Sequence, residues 1–242
     1  VARVEERTYR RSVSPAGLIT FRVAVKETDL LVSAERDASR ETLAEILTQR
    51  RYIEERLSIQ PEFLTSLEPL VPDPLAPGVV RDMLEAGLAA GVGPMAAVAG
   101  ALAGRVGAAL RGLSGEVIVE NGGDLFLAAA RDLQVAIHAG RSALSGRLGL
   151  RISREDQPLG VGTSSATVGH SLSLGRADAA TVVAQTPALA DALATALGNR
   201  VRTRRDLAPA LDWLAERPGA LGGLVVLAGE VAAWGRLEVI RL

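Results

Sequence analysis

The chain has 242 residues, 48% of them hydrophobic but only 3% aromatic, and its 27 basic and 28 acidic side chains nearly cancel. That balance removes a chain-wide electrostatic case for nucleic acid or an anionic membrane surface and leaves only local patches to bind anions. The absence of cysteine excludes disulfides, thiolate metal sites, iron–sulfur clusters and thiol nucleophiles, and the dominance of Ala, Leu, Val and Gly predicts elements packed at short separation.

Residues 3–13 and 18–25 alternate around Ser14-Pro15-Ala16-Gly17, which predicts a β-hairpin, and a third strand is expected near 30–33. No basic-then-apolar run opens the chain, so the expectation is a cytoplasmic protein. Leu43, Ile46, Leu47, Ile53 and Leu57 recur at helical spacing among charged residues and end before Pro61, as in a long amphipathic helix. The proline-rich stretch 69–77 is short and reads as a connector within a single domain, 1–242.

Val80, Met83, Leu84, Gly87 and Leu88 predict a helix stopping at Gly91, and Pro94 starts another through Val98, Leu102, Val106 and Leu110. Residues 86–104 carry no charge over about a bilayer's width. Their Ala and Gly content and the Gly91-Val92-Gly93-Pro94 interruption predict buried helix, with no membrane span. From residue 116 the apolar runs shorten: 117–120, 125–128, 133–138, 148–152, 160–163 and 179–183 are expected strands. Their connections are mostly too brief for crossover helices, hence a largely antiparallel sheet. Thr186 as N-cap and Pro187 at the first position start a helix over 187–197, which Gly198-Asn199 should stop. A helix after Asp206 and a terminal meander over 224–227, 231–234 and 237–240 complete an α+β fold, mostly antiparallel sheet with packed helices.

Several polar, glycine-rich segments invite chemistry. Gly91-Val92-Gly93-Pro94-Met95-Ala96 has the letters of a dinucleotide fingerprint, but it follows a helix-periodic segment where that fingerprint requires a strand. It is then a tight turn between helices, or a helix start whose N–H groups hold phosphate. Glu120-Asn121-Gly122-Gly123-Asp124 sits between two strands as a hairpin turn would. Residues 160–170 contain four hydroxyls and three glycines, so they can approach a ligand closely, with His170 placed for ligand contact or proton transfer. His138, at a strand end, is expected to be structural. Ser164 or Ser165 with His170 and Asp178 would make a hydrolytic triad, but no Gly-x-Ser-x-Gly elbow is present. Asp191 and Thr195 share one helix face opposite Leu189, Leu193 and Ala196. A carboxylate and a hydroxyl at this spacing suit Mg²⁺ completed by water, a backbone carbonyl and a ligand phosphate, or they form a solvated face. Arg200, Arg202, Arg204 and Arg205 either meet phosphates or form an exposed charge run.

Taken in order, residues 91–100, Glu120-Asn121-Gly122-Gly123-Asp124, Gly162-Thr163-Ser164-Ser165 and Ala190-Asp191-Ala192-Leu193-Ala194-Thr195 resemble the ApbE-type FAD:protein FMN transferases (thiamine biosynthesis lipoprotein ApbE). The whole chain is similar to a family of small ApbE-like proteins of bacteria and methanogenic archaea with Gly-Val-Gly-Pro-Met, Glu-Asn-Gly-Gly-Asp and Gly-His-Ser-Leu-Ser segments. The resemblance implies a Mg²⁺-dependent enzyme that splits the FAD pyrophosphate and passes FMN to a protein threonine. It implies that Asp191, Thr195 and the Ala96 carbonyl hold the metal. It also implies that Asn121, Gly122, Gly123, Asp124, Gly162, Thr163, Ser164 and Ser165 line the site for FAD or a related nucleotide, beside His170 as the candidate catalytic residue.

The chain departs from the ApbE pattern at Ala99, where those proteins have Lys. Gly169-His170-Ser171 matches their His-Ile-Ile-Asp-Pro-like segment only loosely, and the lipoprotein Cys is missing. Two expectations stand: a Mg²⁺-dependent flavin (FMN) transferase or pyrophosphate-cleaving enzyme acting on a phosphate-bearing small molecule, or a non-catalytic module that retains the pocket. Neither involves nucleic acid or membrane, and a homo-oligomer is compatible with both.

Overall fold

In the computed structural model, which describes residues 16–140, 142–165 and 174–242, a helical layer and a small sheet cover the two faces of a large sheet. In chain order the elements are β1 (Ile19–Val25), β2 (Thr28–Ala34), α1 (Ser39–Ile59), α2 (Glu62–Thr65), α3 (Gly78–Ala90), α4 (Val98–Leu110), β3 (Val117–Asn121), β4 (Asp124–Ala128), β5 (Leu133–Ala136), β6 (Leu148–Ile152), β7 (Leu159–Ser164), β8 (Ala179–Ala184), α5 (Pro187–Arg200), α6 (Leu207–Ala215), β9 (Ala220–Leu227), β10 (Glu230–Gly235) and β11 (Glu238–Arg241). The large sheet runs β1-β2-β3-β4-β7-β8-β9-β10 and the small one β11-β6-β5. All strand pairings among the described residues are antiparallel, so the fold is α+β as the short runs predicted.

The period of two along each strand assigns its residues to the two faces. On β8, Ala180, Val182 and Ala184 join the helical core, whereas Ala179 and Val183 join Leu133, Leu150 and Ile152 of the small sheet. On β7 the helix-facing positions are Gly160 and Gly162, and these glycines let α5 lie directly on the strand. A Cβ on Gly160 would stand 2.3 Å from Pro187 Cα, and one on Gly162 would stand 2.5 Å from the Ala190 carbonyl oxygen. The helix that fills this slot is buried nearly all round, with Ala188, Ala190, Leu193, Ala194 and Leu197 in the core. Fully buried Leu193 and Leu197 each contribute about 1.5–3 kcal/mol.

The start of α5 is as expected: the Thr186 hydroxyl accepts the Leu189 N–H at 3.3 Å and Pro187 opens the first turn. Its end is not. The helix continues through Gly198 and Asn199 to Arg200, since Gly198 is not among the glycines with positive φ, and Gly175 packs on its carbonyl: a Cβ on Gly175 would sit 1.9 Å from the Gly198 carbonyl oxygen.

Other boundaries also differ. The strand expected over 3–13 lies outside the described residues, and β1 pairs with β2 across a tight turn in which Lys26 has φ 51°. The helix α2 went unforeseen because its four residues are too few to show a period. Pro94–Ala97 forms a 3₁₀ turn before α4, and the α3–α4 pair bends by 106°, so no described helix is long and apolar enough to cross a membrane. The terminal meander is corrected: β9 and β10 extend the large sheet, but β11 leaves it and pairs with β6, Val239 opposite Leu150. Gly235, at φ 91° and packed on Gly222, supplies the left-handed residue that turns the chain away.

Candidate functional site

The first turn of a helix has N–H groups with no intrahelical acceptor, and α4 is preceded by Ala97, whose side chain cannot cap them. Asp191 on α5 supplies the missing acceptor. Its carboxylate accepts the Gly100 N–H at 2.9 Å. The approach depends on Gly100 itself, where a Cβ would stand 2.2 Å from the Pro187 carbonyl oxygen and 2.8 Å from Asp191 Cβ. Asp191 keeps some accessible surface as a residue, but protein atoms crowd its carboxyl group. Burial pushes its pKa up to about 7, against the opposing pull of the Gly100 and Ala99 N–H groups.

Two further oxygens belong to the same neighbourhood. In an uninterrupted helix the Gly100 N–H would return to the Ala96 carbonyl, but here it is directed at Asp191. Thr195 lies one turn along α5 from Asp191, partly exposed, and its hydroxyl has no hydrogen bond to any described residue. A carboxylate, a hydroxyl and a carbonyl are the oxygen donor types that a hard cation such as Mg²⁺ takes. Among the described residues no group of three or more His, Cys, Asp or Glu is arranged for a metal, so such a cation would rely on neutral donors and a ligand's phosphates.

The glycine turn converges on the same place. Gly122 and Gly123, at φ 68° and 108°, close a hairpin in which Asn121 pairs with Asp124. The buried Asn121 donates its Nδ2–H to the Ala99 carbonyl at 3.1 Å. The Glu120 carboxylate accepts the Gly123 N–H at 2.9 Å, and Asp124 accepts the Thr163 N–H at 3.3 Å where the β4–β7 ladder has ended. Asn121 and Asp191 thus hold adjacent residues of the first turn of α4, Ala99 by its carbonyl and Gly100 by its N–H.

Not every residue of the β7 segment faces that point. The side-chain space of Gly162 is filled by α5, so this glycine sets the height of Asp191 above the sheet. Ser164 is buried against Gly198. Thr163 shares a hydrogen bond with Thr181 at 3.1 Å, and Ser165 donates to the Asp178 carbonyl at 2.7 Å. The Asp178 carboxylate accepts the Ala228 N–H at 2.7 Å. His170 falls within 166–173, outside the described residues.

Three features escaped the sequence reading. His138, expected to be structural, lies within electrostatic reach of Glu120, which opposes the lowering of its pKa by burial; no spacing rule links a residue after β5 to one in β3. Arg200 stacks at 3.6 Å on Trp213 and Arg204 pairs with Glu230, so two of the four arginines are engaged by the protein. A cavity of about 260 Å³ opens between α3, α4 and the start of α5, lined by Asp82, Glu85, Gly100, Gly104, Thr186 and Pro187. Residues 121–124 and 162–165 are not among its lining residues.

This architecture is that of the ApbE proteins. The structure described as flavin transferase ApbE from Vibrio cholerae matches with a TM-score of 0.59, covering 91% of this chain and 97% of that one at 14% identity. The ApbE protein from Thermotoga maritima gives 0.58, covering 91% and 96% at 14% identity. At these identities the likeness is one of fold. A family profile described as AbpE bacteria matches residues 10–216, and the chain belongs to that family. It is 41% identical over 222 residues to a UPF0280 protein of Methanocella arvoryzae, covering 91% of this chain and 90% of the relative. A UPF0280 protein of Methanocaldococcus jannaschii is 40% identical over 228 residues, covering 91% and 92%.

Proposed function

We propose that the protein binds FAD or a related phosphate-bearing nucleotide together with Mg²⁺ beside Ala99 and Gly100, and acts there as an FMN transferase or a pyrophosphate-cleaving enzyme. The observation that carries this reading is the donor set: the Asp191 carboxylate crowded by protein, the Thr195 hydroxyl without a described partner, and the Ala96 carbonyl whose helical donor is directed elsewhere. These three groups would hold Mg²⁺, which when bound neutralises charge on a pyrophosphate as its bridging P–O bond breaks.

The remaining work belongs to the chain's own residues. Asn121 fixes the first turn of α4 through the Ala99 carbonyl, and Gly160 and Gly162 hold α5 at a height that brings Asp191 to that turn. The Gly122-Gly123 turn presents backbone without side chains, and a Cβ on Gly123 would meet nothing nearer than the Thr163 carbonyl oxygen at 3.8 Å, so a ligand can approach it closely. His170 is the proposed proton-transfer group.

A second reading is favoured by one residue. Ala99 puts a methyl group where the resembling transferases carry lysine, and a site without that cation can retain the ligand without turning it over. Incubation of the purified protein with FAD and Mg²⁺, followed by chromatography for AMP and FMN, separates the two. Released AMP supports the enzyme, stoichiometric FAD binding without AMP supports the binding module, and absence of binding rejects both.

A further inference from the structure

The chain between the last turn of α1 and the start of α3 divides its apolar residues between two environments. Phe63 is fully buried, and Leu57 and Leu70 pack against the helical core. Ile59, Leu64, Leu67, Val71 and Leu75 instead point into water together with Leu88 of α3, all more than half exposed, Val71 at 86% and Leu75 at 95%. Two contacts fasten the segment to the helical layer: Arg56 on α1 pairs with Asp73 at 2.6 Å, and the Leu67 carbonyl accepts the Gly93 N–H at 3.0 Å just beyond the end of α3. Pro69, Pro72, Pro74 and Pro77 fix φ along it, so the exposed side chains form a stiff ridge that loses little freedom when covered.

We propose that this ridge is the interface of a homodimer, covered in solution by the same ridge of a second copy. Its six side chains present on the order of 700 Å² of apolar surface, above the roughly 300–600 Å² of the largest patch on a typical monomer and close to the roughly 800 Å² that each partner buries in a stable interface. Charges of both signs flank it, Arg51 and Glu55 on α1 and Arg81 and Glu85 on α3, so a two-fold axis can set the basic groups of one copy against the acidic groups of the other. The formal net charge of −1 leaves no long-range repulsion between the copies. The ridge contains none of the residues assigned above to metal or nucleotide, so this inference stands apart from that reading.

Sedimentation equilibrium of the full chain is expected to show a dimer with a dissociation constant of about 10 μM or tighter. Leu67→Glu and Leu75→Glu place charge at exposed positions, so each should match the parent's thermal midpoint when both are diluted to monomer, and each should weaken dimerisation at least tenfold. Leu113→Glu, at an exposed leucine beyond the end of α4, should change neither. A parent chain that stays monomeric at about 100 μM overturns the proposal; co-sedimentation of that monomer with phosphatidylcholine vesicles would give the ridge to a membrane surface instead. A dimer of parental affinity in both folded Glu variants of the ridge, or one weakened equally by Leu113→Glu, overturns the assignment of the interface to these residues.

Discussion

The Asp191 carboxylate on α5 accepts the Gly100 N–H of α4 at 2.9 Å across 91 positions of sequence, joining two helices at the point where the glycine turn also arrives. The same carboxylate therefore serves as a helix cap and as the candidate metal ligand, and substitutions can separate the two roles. Asp191→Asn keeps an acceptor for the α4 N–H groups and removes a buried charge, so the thermal midpoint of the metal-free protein should hold or rise. Asp191→Ala leaves the Gly100 N–H unpartnered and should cost about 1–2 kcal/mol. Thermal denaturation of both variants checks this; equal losses would show that capping is not what Asp191 does.

The raised pKa of Asp191 gives two opposite pH dependences. Without metal, the folded state holds the proton more tightly than the unfolded chain between 3.8 and about 7, so this residue's contribution to stability is full below 3.8 and is lost as pH rises through about 7. Metal binding needs the carboxylate, so Mg²⁺ affinity should climb about tenfold per pH unit up to about pH 7 and then flatten, with one proton released below that point. Calorimetric titrations in buffers of different ionisation enthalpy report both the slope and the proton. An affinity flat from about pH 5.5 to about pH 8 would remove Asp191 from the ligand set.

Thr195 offers a cleaner separation, because its hydroxyl has no partner among the described residues to lose. Thr195→Val should leave the melting temperature nearly unchanged and weaken Mg²⁺ several-fold, and Thr195→Ser should restore most of the affinity. A variant that loses stability without losing metal would assign the hydroxyl a structural role.

Gly162→Ala tests how the site is mounted. Its methyl group would stand 2.5 Å from the Ala190 carbonyl oxygen and 2.6 Å from the Asp191 nitrogen, both backbone atoms that cannot move without moving α5. The expected cost is about 1–3 kcal/mol, a fall of roughly 2–4 °C per kcal/mol in a domain of this size. Metal affinity should fall with it, since Asp191 rides on the displaced helix. Unchanged stability would show that the strand and helix are not in the contact described.

Much of the fold was legible because the periods were unambiguous. Thr186-Pro187 announced the start of α5, Gly91 the end of α3, and the short runs after residue 116 the antiparallel sheet. The failures share one cause: local signals cannot see what a residue packs against. Gly198 reads as a helix stop until Gly175 is found lying on its carbonyl, and Gly162 reads as an opening for a ligand until α5 is found filling it. The site was legible as four polar segments, but not the way Ala99 and Gly100 tie them together, because Ala99 takes part through its backbone alone.

Calorimetric titration of FAD in the presence of Mg²⁺, comparing the parent chain with Asp191→Asn, tests the metal assignment most directly. Mg²⁺-dependent binding to the parent is expected, with at least tenfold weaker binding to the variant, about 1.4 kcal/mol. Equal Mg²⁺-dependent affinities in two equally folded proteins would contradict it.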